Sequence, residues 1–161
     1  MRNMIRTGCI VFLLTCIFSV ATQAQSTKYK CMLQMTNYMG EGAYIVVSII
    51  NKDNGYDKTL YVLGSDRKWY KTLKEWDKAF KKKPADISAV TGASVSGGDR
   101  SMFTLDIENA KINSGYKLRF ESAVEDKTYY VSDLEIPLTT ESLAAKNEGK
   151  GYIRYVRFSA N

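Results

Sequence analysis

The sequence contains no histidine, which limits the chemistry that the chain can perform alone. Without an imidazole, Ser-His-Asp triads, Cys-His pairs and ordinary histidine metal sites are excluded. The CxxC motif and the phosphate-binding motif GxxxxGK(S/T) are also absent. A hydrolase that uses two carboxylates has no supporting constellation, because the acidic residues are scattered. We therefore predict no catalytic and no metal-ligating residues, and we expect any chemistry to belong to a cofactor.

Long apolar runs are absent except at the N-terminus. Arg2 and Arg6 precede an apolar run over residues 8–21, and small residues follow it. This order is typical of a secretory signal peptide, and the run is shorter than the about 20 residues of a membrane-spanning helix. We predict a signal peptide over 1–24 and a single domain over 25–161. The mature protein is expected to be periplasmic or secreted and to have no transmembrane segment of its own.

Cysteine is also scarce. Removal of the signal peptide takes away Cys9 and Cys16 and leaves Cys31 alone, so the mature chain can form no intrachain disulfide. Cys31 alternates with Leu33 and Met35, which predicts a buried cysteine on a strand. A reactive thiol is the alternative.

A large net charge is absent as well. The formal net charge of +6 falls to +4 once the two arginines of the signal peptide are removed. The remaining basic residues form no long stripe, so nothing indicates nucleic-acid binding. A mildly basic surface is compatible with an anionic ligand or a membrane surface.

The rest of the chain is dominated by strand patterns. Alternating or β-branched apolar residues predict strands over residues 29–35, 43–50, 59–63, 102–107, 116–124, 129–134 and 152–158. Turn residues separate several of them at 53–55, 113–115 and 125–127, and the polar stretch 141–151 predicts a surface loop. Short strands at this spacing predict a mainly β fold, an immunoglobulin-like two-sheet β-sandwich.

One segment has helical periodicity instead. Its apolar residues recur at steps of four, three and four: Trp69, Leu73, Trp76 and Phe80. This stripe predicts one amphipathic helix near residues 67–82. We expect the helix to cover one end of the sandwich with both tryptophans in the core. Stacking of a ligand on one of the tryptophans is the alternative.

The segment SAVTGASVSGG, residues 88–98, is small, hydroxyl-rich and glycine-rich. Gly92 permits backbone angles that other residues avoid, and Ala93 adds little bulk. Thr91 and Ser94 present hydroxyl groups on either side. Taken alone, the segment is either a plain turn between helix and strand or a loop that enters the active site of another enzyme and offers a hydroxyl.

Residues 88–94 resemble the flavinylation signature of extracytoplasmic flavoproteins, Asp-x-x-Ser/Thr-Gly-Ala-Ser/Thr. In that signature the last hydroxyl receives FMN through a phosphoester. The matching positions are Thr91, Gly92, Ala93 and Ser94. Ser88 stands in the place of the leading aspartate, and Asp86 lies two residues earlier.

The order of elements around this motif is similar to the periplasmic family catalogued as domain of unknown function 2271. The similarity covers roughly residues 43–158 and runs through the segments YIVVSIINKDNGYDKTLYVL, KWYKTLKEWDKAF, AVTGAS, MFTLDI and SGYKLRFESAVED. It implies FMN bound covalently to Ser94, with Thr91, Gly92 and Ala93 completing the site. It also implies two partners, a periplasmic FMN transferase and a PepSY-type membrane electron-transfer protein.

The resemblance therefore implies an extracytoplasmic electron-transfer protein, a flavin-carrying redox protein rather than an enzyme with its own turnover. A covalent tether makes cofactor binding intramolecular, so weak contacts to the flavin ring suffice. Lys81–Lys83 and Arg100 flank the loop in sequence and are expected to offset the phosphate charge.

The rival interpretation is a cofactor-free secreted β-sandwich that binds a protein or glycan partner. An aromatic surface would suit it, and the candidates are Tyr116, Tyr129, Tyr130, Tyr152 and Tyr155. Ordinary packing of strand tyrosines is the alternative for these residues.

Overall fold

A computed structural model of the protein describes residues 25–160, so the predicted signal peptide lies outside the described residues. The strands are β1 (Ser26–Met35), β2 (Tyr44–Ile50), β3 (Tyr56–Leu63), β4 (Thr91–Gly92), β5 (Arg100–Glu108), β6 (Lys117–Ala123), β7 (Tyr129–Pro137), β8 (Asn147–Glu148) and β9 (Ile153–Ala160). They form a four-stranded sheet in the order β5-β1-β9-β8 and a five-stranded sheet in the order β4-β3-β2-β6-β7. This arrangement confirms the predicted mainly β, two-sheet sandwich.

The main core lies between the two sheets. Cys31, Leu33 and Met35 of β1 are buried in it together with Val47 of β2 and Leu105 of β5. In β1 and β5 the buried residues alternate with less buried ones, because successive side chains of a strand point to opposite faces. The prediction of a buried Cys31 is confirmed, and burial raises the pKa of its thiol, so a reactive thiolate is disfavoured at neutral pH.

β2 is buried along its whole length, because it is central in its sheet and covered on both faces. Ile45 and Val47 face the other sheet, whereas Tyr44 and Val46 face away from it. A second apolar layer therefore covers the outer face of the five-stranded sheet. Its buried members are Tyr44, Val46, Val62, Tyr70, Leu73, Trp76, Ile87 and Ala123.

The segment that completes this second layer is not one continuous helix. A 3-10 helix over Arg67–Thr72 is followed by α1 (Lys74–Lys82), and Leu73 between them leaves helical geometry at φ −86° and ψ 67°. The helical segment therefore lies where we predicted it, but the prediction of one continuous helix is wrong. The apolar stripe itself is confirmed, because Leu73 and Trp76 are buried and Trp69 packs against the same layer.

The prediction that this segment covers an end of the sandwich is wrong. It lies across the outer face of the five-stranded sheet, since it packs on Val46 and Val62 of β2 and β3. Trp76 is 1% exposed, but Trp69 is only partly buried, so one tryptophan and not both lies in the core.

The polar stretch 141–151 is more ordered than the predicted loop. It includes most of α2 (Thr140–Ala144) and the short strand β8. Thr139 caps α2, because its Oγ1 accepts a hydrogen bond of 3.2 Å from the backbone N–H of Ser142. Leu143 is the buried residue of this helix, and one apolar residue in a polar stretch gives no periodicity from which a helix could be predicted.

The predicted turns at 53–55 and 113–115 are confirmed. Asn54 and Asn113 adopt positive φ angles of 61° and 58°, which asparagine tolerates better than most residues. In the first turn, Asn51 Oδ1 accepts a hydrogen bond of 2.8 Å from the backbone N–H of Gly55. This bond fixes the hairpin between β2 and β3.

Candidate functional site

The loop around Ser94 is held at both ends by backbone hydrogen bonds. Gly92 belongs to β4, which pairs with β3 in parallel, and its carbonyl accepts a hydrogen bond of 2.8 Å from Gly64 N. Beyond Ser94, Ala43 N donates to Val95 O at 2.7 Å and Val95 N donates to Ala43 O at 3.1 Å. Ser94 therefore lies in a short span with little freedom to move.

The two hydroxyl groups of the motif have different environments. Thr91 Oγ1 donates a hydrogen bond of 2.7 Å to the carbonyl of Ile87, so it is occupied in closing the preceding 3-10 turn. Ser94 is exposed, and among residues 25–160 its Oγ has no hydrogen-bond partner. Ser94 thus carries the accessible hydroxyl of the motif. Ser96 is exposed too, which makes it the natural comparison.

Two glycines keep space around this loop. A Cβ at Gly42 would lie 2.6 Å from Ser94 Oγ, and a Cβ at Gly92 would lie 2.9 Å from the hydroxyl oxygen of Tyr61. Gly92 is therefore needed for close approach to Tyr61, and its φ is not among the positive ones.

Ser94 opens onto a cleft of about 300 Å³, which we call the Ser94 cleft. Its walls include Tyr61, Arg100 and Met102. Tyr61 stacks on Phe103 with ring centroids 4.5 Å apart, which fixes the aromatic wall, and Met102 is 54% exposed. The cleft combines an accessible hydroxyl with aromatic, thioether and cationic side chains.

Of the four basic residues that flank the loop in sequence, only Arg100 lines the Ser94 cleft. Lys81 pairs with Asp77 at 2.6 Å. Lys83 lines cavities at the other end of β3, beside Tyr56. The positions of Lys81–Lys83 therefore do not support the expectation that they offset a phosphate on Ser94, whereas Arg100 lines the same cleft as Ser94.

A carboxylate lies beside Ser88, the residue that stands where the signature has aspartate. Asp86 Oδ1 accepts hydrogen bonds from Ser88 N at 2.9 Å and from Ser88 Oγ at 2.6 Å. These two bonds lower the pKa of the Asp86 carboxyl below its ordinary value. An ionised, exposed carboxylate therefore lies directly beside Ser88.

The five candidate tyrosines do not form an exposed aromatic surface. Tyr152 is buried and the other four are partly buried. Tyr130 and Tyr152 pack edge to face with ring centroids 5.2 Å apart, and Tyr129 donates a hydrogen bond to Glu121. Their positions favour strand packing over a role in recognition.

Several residues of the site were not predicted from the sequence. Gly42, Tyr61 and Met102 come from separate strands or loops, and the fold brings them to Ser94. Met102 is an exposed residue on β5, but the strand pattern around it does not indicate that it lies near Ser94. The only available signal was the Gly-Glu-Gly run that ends at Gly42, since glycine often marks a close approach.

Comparison with known proteins adds the family. The sequence profile of a family described as predicted periplasmic protein (DUF2271) matches residues 26–155. No curated protein and no solved structure matches the chain. Within residues 25–160, no helix is both long enough and apolar enough to cross a membrane. The family description agrees with the predicted periplasmic location, and because the match covers most of the chain, this protein belongs to the DUF2271 family of predicted periplasmic proteins.

Proposed function

We propose that this protein is an extracytoplasmic electron-transfer protein that carries FMN through a phosphoester on Ser94. The observation that supports this proposal most strongly is the contrast between two hydroxyls of one motif. Thr91 is hydrogen-bonded inside the fold, whereas Ser94 is exposed on a span fixed by backbone pairing. A transferase needs an accessible hydroxyl in a defined position, and Ser94 meets both conditions.

The residues around Ser94 fit a tethered flavin phosphate. Gly42, which lacks a Cβ, leaves space beside the hydroxyl, and the cationic residue Arg100 lines the same cleft. Tyr61 and Met102 offer apolar surface against which a ring can pack. When bound, the flavin supplies the redox chemistry, and the chain holds and orients it.

The attachment step is a group transfer without redox change. Ser94 Oγ forms a bond to the flavin-side phosphorus of a flavin dinucleotide. The bond between the two phosphates breaks, a nucleoside monophosphate leaves, and the hydroxyl proton passes to solvent. The periplasmic FMN transferase would catalyse this step. The PepSY-type membrane protein would then supply electrons for an extracytoplasmic acceptor.

Flavin attachment is tested by coexpression with an active FMN transferase. We expect the peptide that contains Ser94 to gain the mass of an FMN phosphoester, and the purified protein to be yellow. Ser94→Ala should remove the modification completely, because no other hydroxyl stands in the motif's last position. Mass spectrometry of the intact protein and of its peptides measures both results.

The matched control is Ser96→Ala, which removes the other exposed hydroxyl of the loop and should be modified like the wild type. Circular dichroism should show that both variants fold, since a surface hydroxyl changes stability by no more than about 0.5 kcal/mol. An unmodified wild type beside a modified known substrate would overturn the proposal and favour the cofactor-free binding module. Flavin on Ser96 or Thr91 would overturn the assignment to Ser94.

The carboxylate beside Ser88 gives a second prediction. If Asp86 takes the role of the leading aspartate, Asp86→Ala should slow flavin attachment roughly tenfold, the effect of one lost charge-assisted hydrogen bond. Ser88→Asp in the Asp86→Ala background should restore the rate, because it returns a carboxylate to the usual position. The measurement is the modified fraction against time with purified transferase. Attachment to Asp86→Ala at the wild-type rate would contradict this role.

A further inference from the structure

Another cavity, which we call the α1 cavity, lies between α1 and the outer face of the five-stranded sheet. Its volume is about 410 Å³, and Tyr56, Trp76 and Glu121 are among the residues that line it. It is at the Tyr56 end of β3, whereas the Ser94 cleft is at the Leu63 end. At about 3.3 Å per strand residue, the two sites are roughly 20 Å apart, so the α1 cavity is independent of the proposed flavin site.

Glu121 is the unusual residue of this cavity. It is 2% exposed, and its Oε2 accepts hydrogen bonds from Trp76 N at 3.1 Å and from the hydroxyl of Tyr129 at 2.6 Å. Its other oxygen, Oε1, has no hydrogen-bond partner within the described part of the chain. Oε1 is not among the buried side-chain atoms that lack a partner in the described part of the chain. It therefore opens to the cavity, where a ligand with a hydrogen-bonding group can pair with it.

The rim of the α1 cavity is cationic. Lys78 and Lys82 lie one turn apart on α1 and line the cavity together with Arg119. Arg119 is paired with Glu135 at 2.7 Å. Neither Lys78 nor Lys82 has a carboxylate within salt-bridge distance among residues 25–160. Two adjacent ammonium groups without acidic partners at a cavity mouth favour an anionic ligand.

We propose that the α1 cavity binds a small hydroxylated carboxylate of the sugar-acid class. Its carboxylate would lie against Lys78 and Lys82, and one of its hydroxyls would bond to Glu121 Oε1. The cavity volume lies within the range of small-molecule sites. This proposal does not depend on flavin attachment at Ser94.

The protonation of Glu121 gives the site a pH signature. The pKa of Glu121 is raised to about 7; burial is the largest cause, and the nearby Glu75 acts in the same direction. The hydrogen bonds from Tyr129 and Trp76 and the charge of Arg119 act in the opposite direction. The ionised carboxylate repels an anionic ligand, so affinity should fall by about tenfold as the pH rises through 7. The titratable and charged groups that face Glu121 or share its cavity are Tyr56, Glu75, Lys78, Lys82, Lys83, Arg119 and Tyr129.

Isothermal titration of the mature protein with D-glucuronate tests the proposal. We expect binding at pH 6 that weakens about tenfold at pH 8, and Glu121→Gln should bind equally at both pH values because its amide keeps the hydrogen bond without the charge. The double variant Lys78→Ala/Lys82→Ala should bind about tenfold more weakly at either pH. D-glucose, which lacks the carboxylate, and acetate, which lacks the hydroxyls, should bind at least about tenfold more weakly than D-glucuronate.

The matched control is Lys28→Ala/Lys30→Ala, which removes the same charge from exposed positions of β1 and should bind like the wild type. No heat of binding at millimolar D-glucuronate and pH 6 would overturn the proposal. Equal affinity for acetate would overturn the sugar-acid class. Unchanged affinity in Lys78→Ala/Lys82→Ala would overturn the assigned site. These outcomes leave the mass of the Ser94 peptide unaffected, so they are distinct from a failure of the flavin proposal.

Discussion

Asp133→Ala is expected to lower the free energy of unfolding by about 3 kcal/mol, because several donors lose a shared acceptor at once. Asp133 of β7 is fully buried. Its carboxylate accepts hydrogen bonds from Gly151 N at 2.7 Å, Ile153 N at 3.0 Å, Lys150 N at 3.1 Å and Ser122 Oγ at 2.5 Å. Alanine would leave these donors without their partner in the interior.

The position of Asp133 explains why the effect should reach the whole sandwich. β7 is an edge strand of the five-stranded sheet, and β9 belongs to the other sheet. The three backbone donors come from the turn before β9 and from its first residue, Ile153. Asp133 therefore ties one sheet to the other through a charged acceptor, and charge-assisted bonds to backbone N–H groups are stronger than neutral ones.

Urea unfolding followed by circular dichroism measures the loss, which should also lower Tm by about 10 °C in a domain of this size. Asp133→Asn should lower the free energy of unfolding by less than Asp133→Ala does. The carbonyl oxygen of asparagine still accepts hydrogen bonds, but its NH2 group would face N–H and O–H donors with which it cannot pair. Asp126→Ala removes an exposed acid of the β6–β7 turn and should stay within about 0.5 kcal/mol of the wild type. An Asp133→Ala protein as stable as Asp126→Ala would show that these hydrogen bonds are not needed for stability.

The strands were predictable from the sequence because burial follows the alternation of side chains. β1 shows this directly, since Cys31, Leu33 and Met35 are the residues that the fold buries. The interruption of the helical segment at Leu73 was not predictable from the apolar stripe. A 3-10 turn and an α-helical turn both place residues three or four positions apart on nearly the same side, so both give the same pattern. The two short strands β4 and β8 have only two residues each. Two residues are too few to show the alternation of apolar and polar side chains from which a strand is predicted.

The site was predictable only where one short segment carries it. The motif Thr91–Ser94 is contiguous, so its hydroxyls could be identified without the fold. Glu121 is an acidic residue within a predicted strand, and acidic residues are normally exposed. Only the packing of α1 on the outer face of the sheet buries it and gives it Trp76 and Tyr129 as donors. Its environment therefore depends on tertiary structure and not on local sequence.

The same burial predicts a second large effect, a loss of stability as the pH rises. Burial raises the pKa of Glu121 to about 7 in the folded protein, against about 4.3 for an unfolded chain. Between these values the folded state holds a proton that the unfolded state has released. The free energy of unfolding should therefore fall as the pH rises from about 4.3 to about 7 and stay level above it. The upper limit of the loss is about 4 kcal/mol, at about 1.4 kcal/mol per pKa unit.

Glu121→Gln isolates this contribution, because glutamine is nearly the same shape and its carbonyl oxygen can accept from Trp76 N and from the Tyr129 hydroxyl. Other carboxylates act in the opposite sense: Lys117 and Arg119 outweigh burial and lower the pKa of Glu135, which favours the fold at higher pH. They are present in both proteins, so the difference between wild type and variant cancels them. Urea unfolding at constant ionic strength from pH 4.5 to 8 should show nearly equal stability at the acidic end and a variant that is more stable by about 1–3 kcal/mol at the alkaline end. Parallel curves over the whole range would mean that Glu121 is already ionised in the folded protein at pH 4.5.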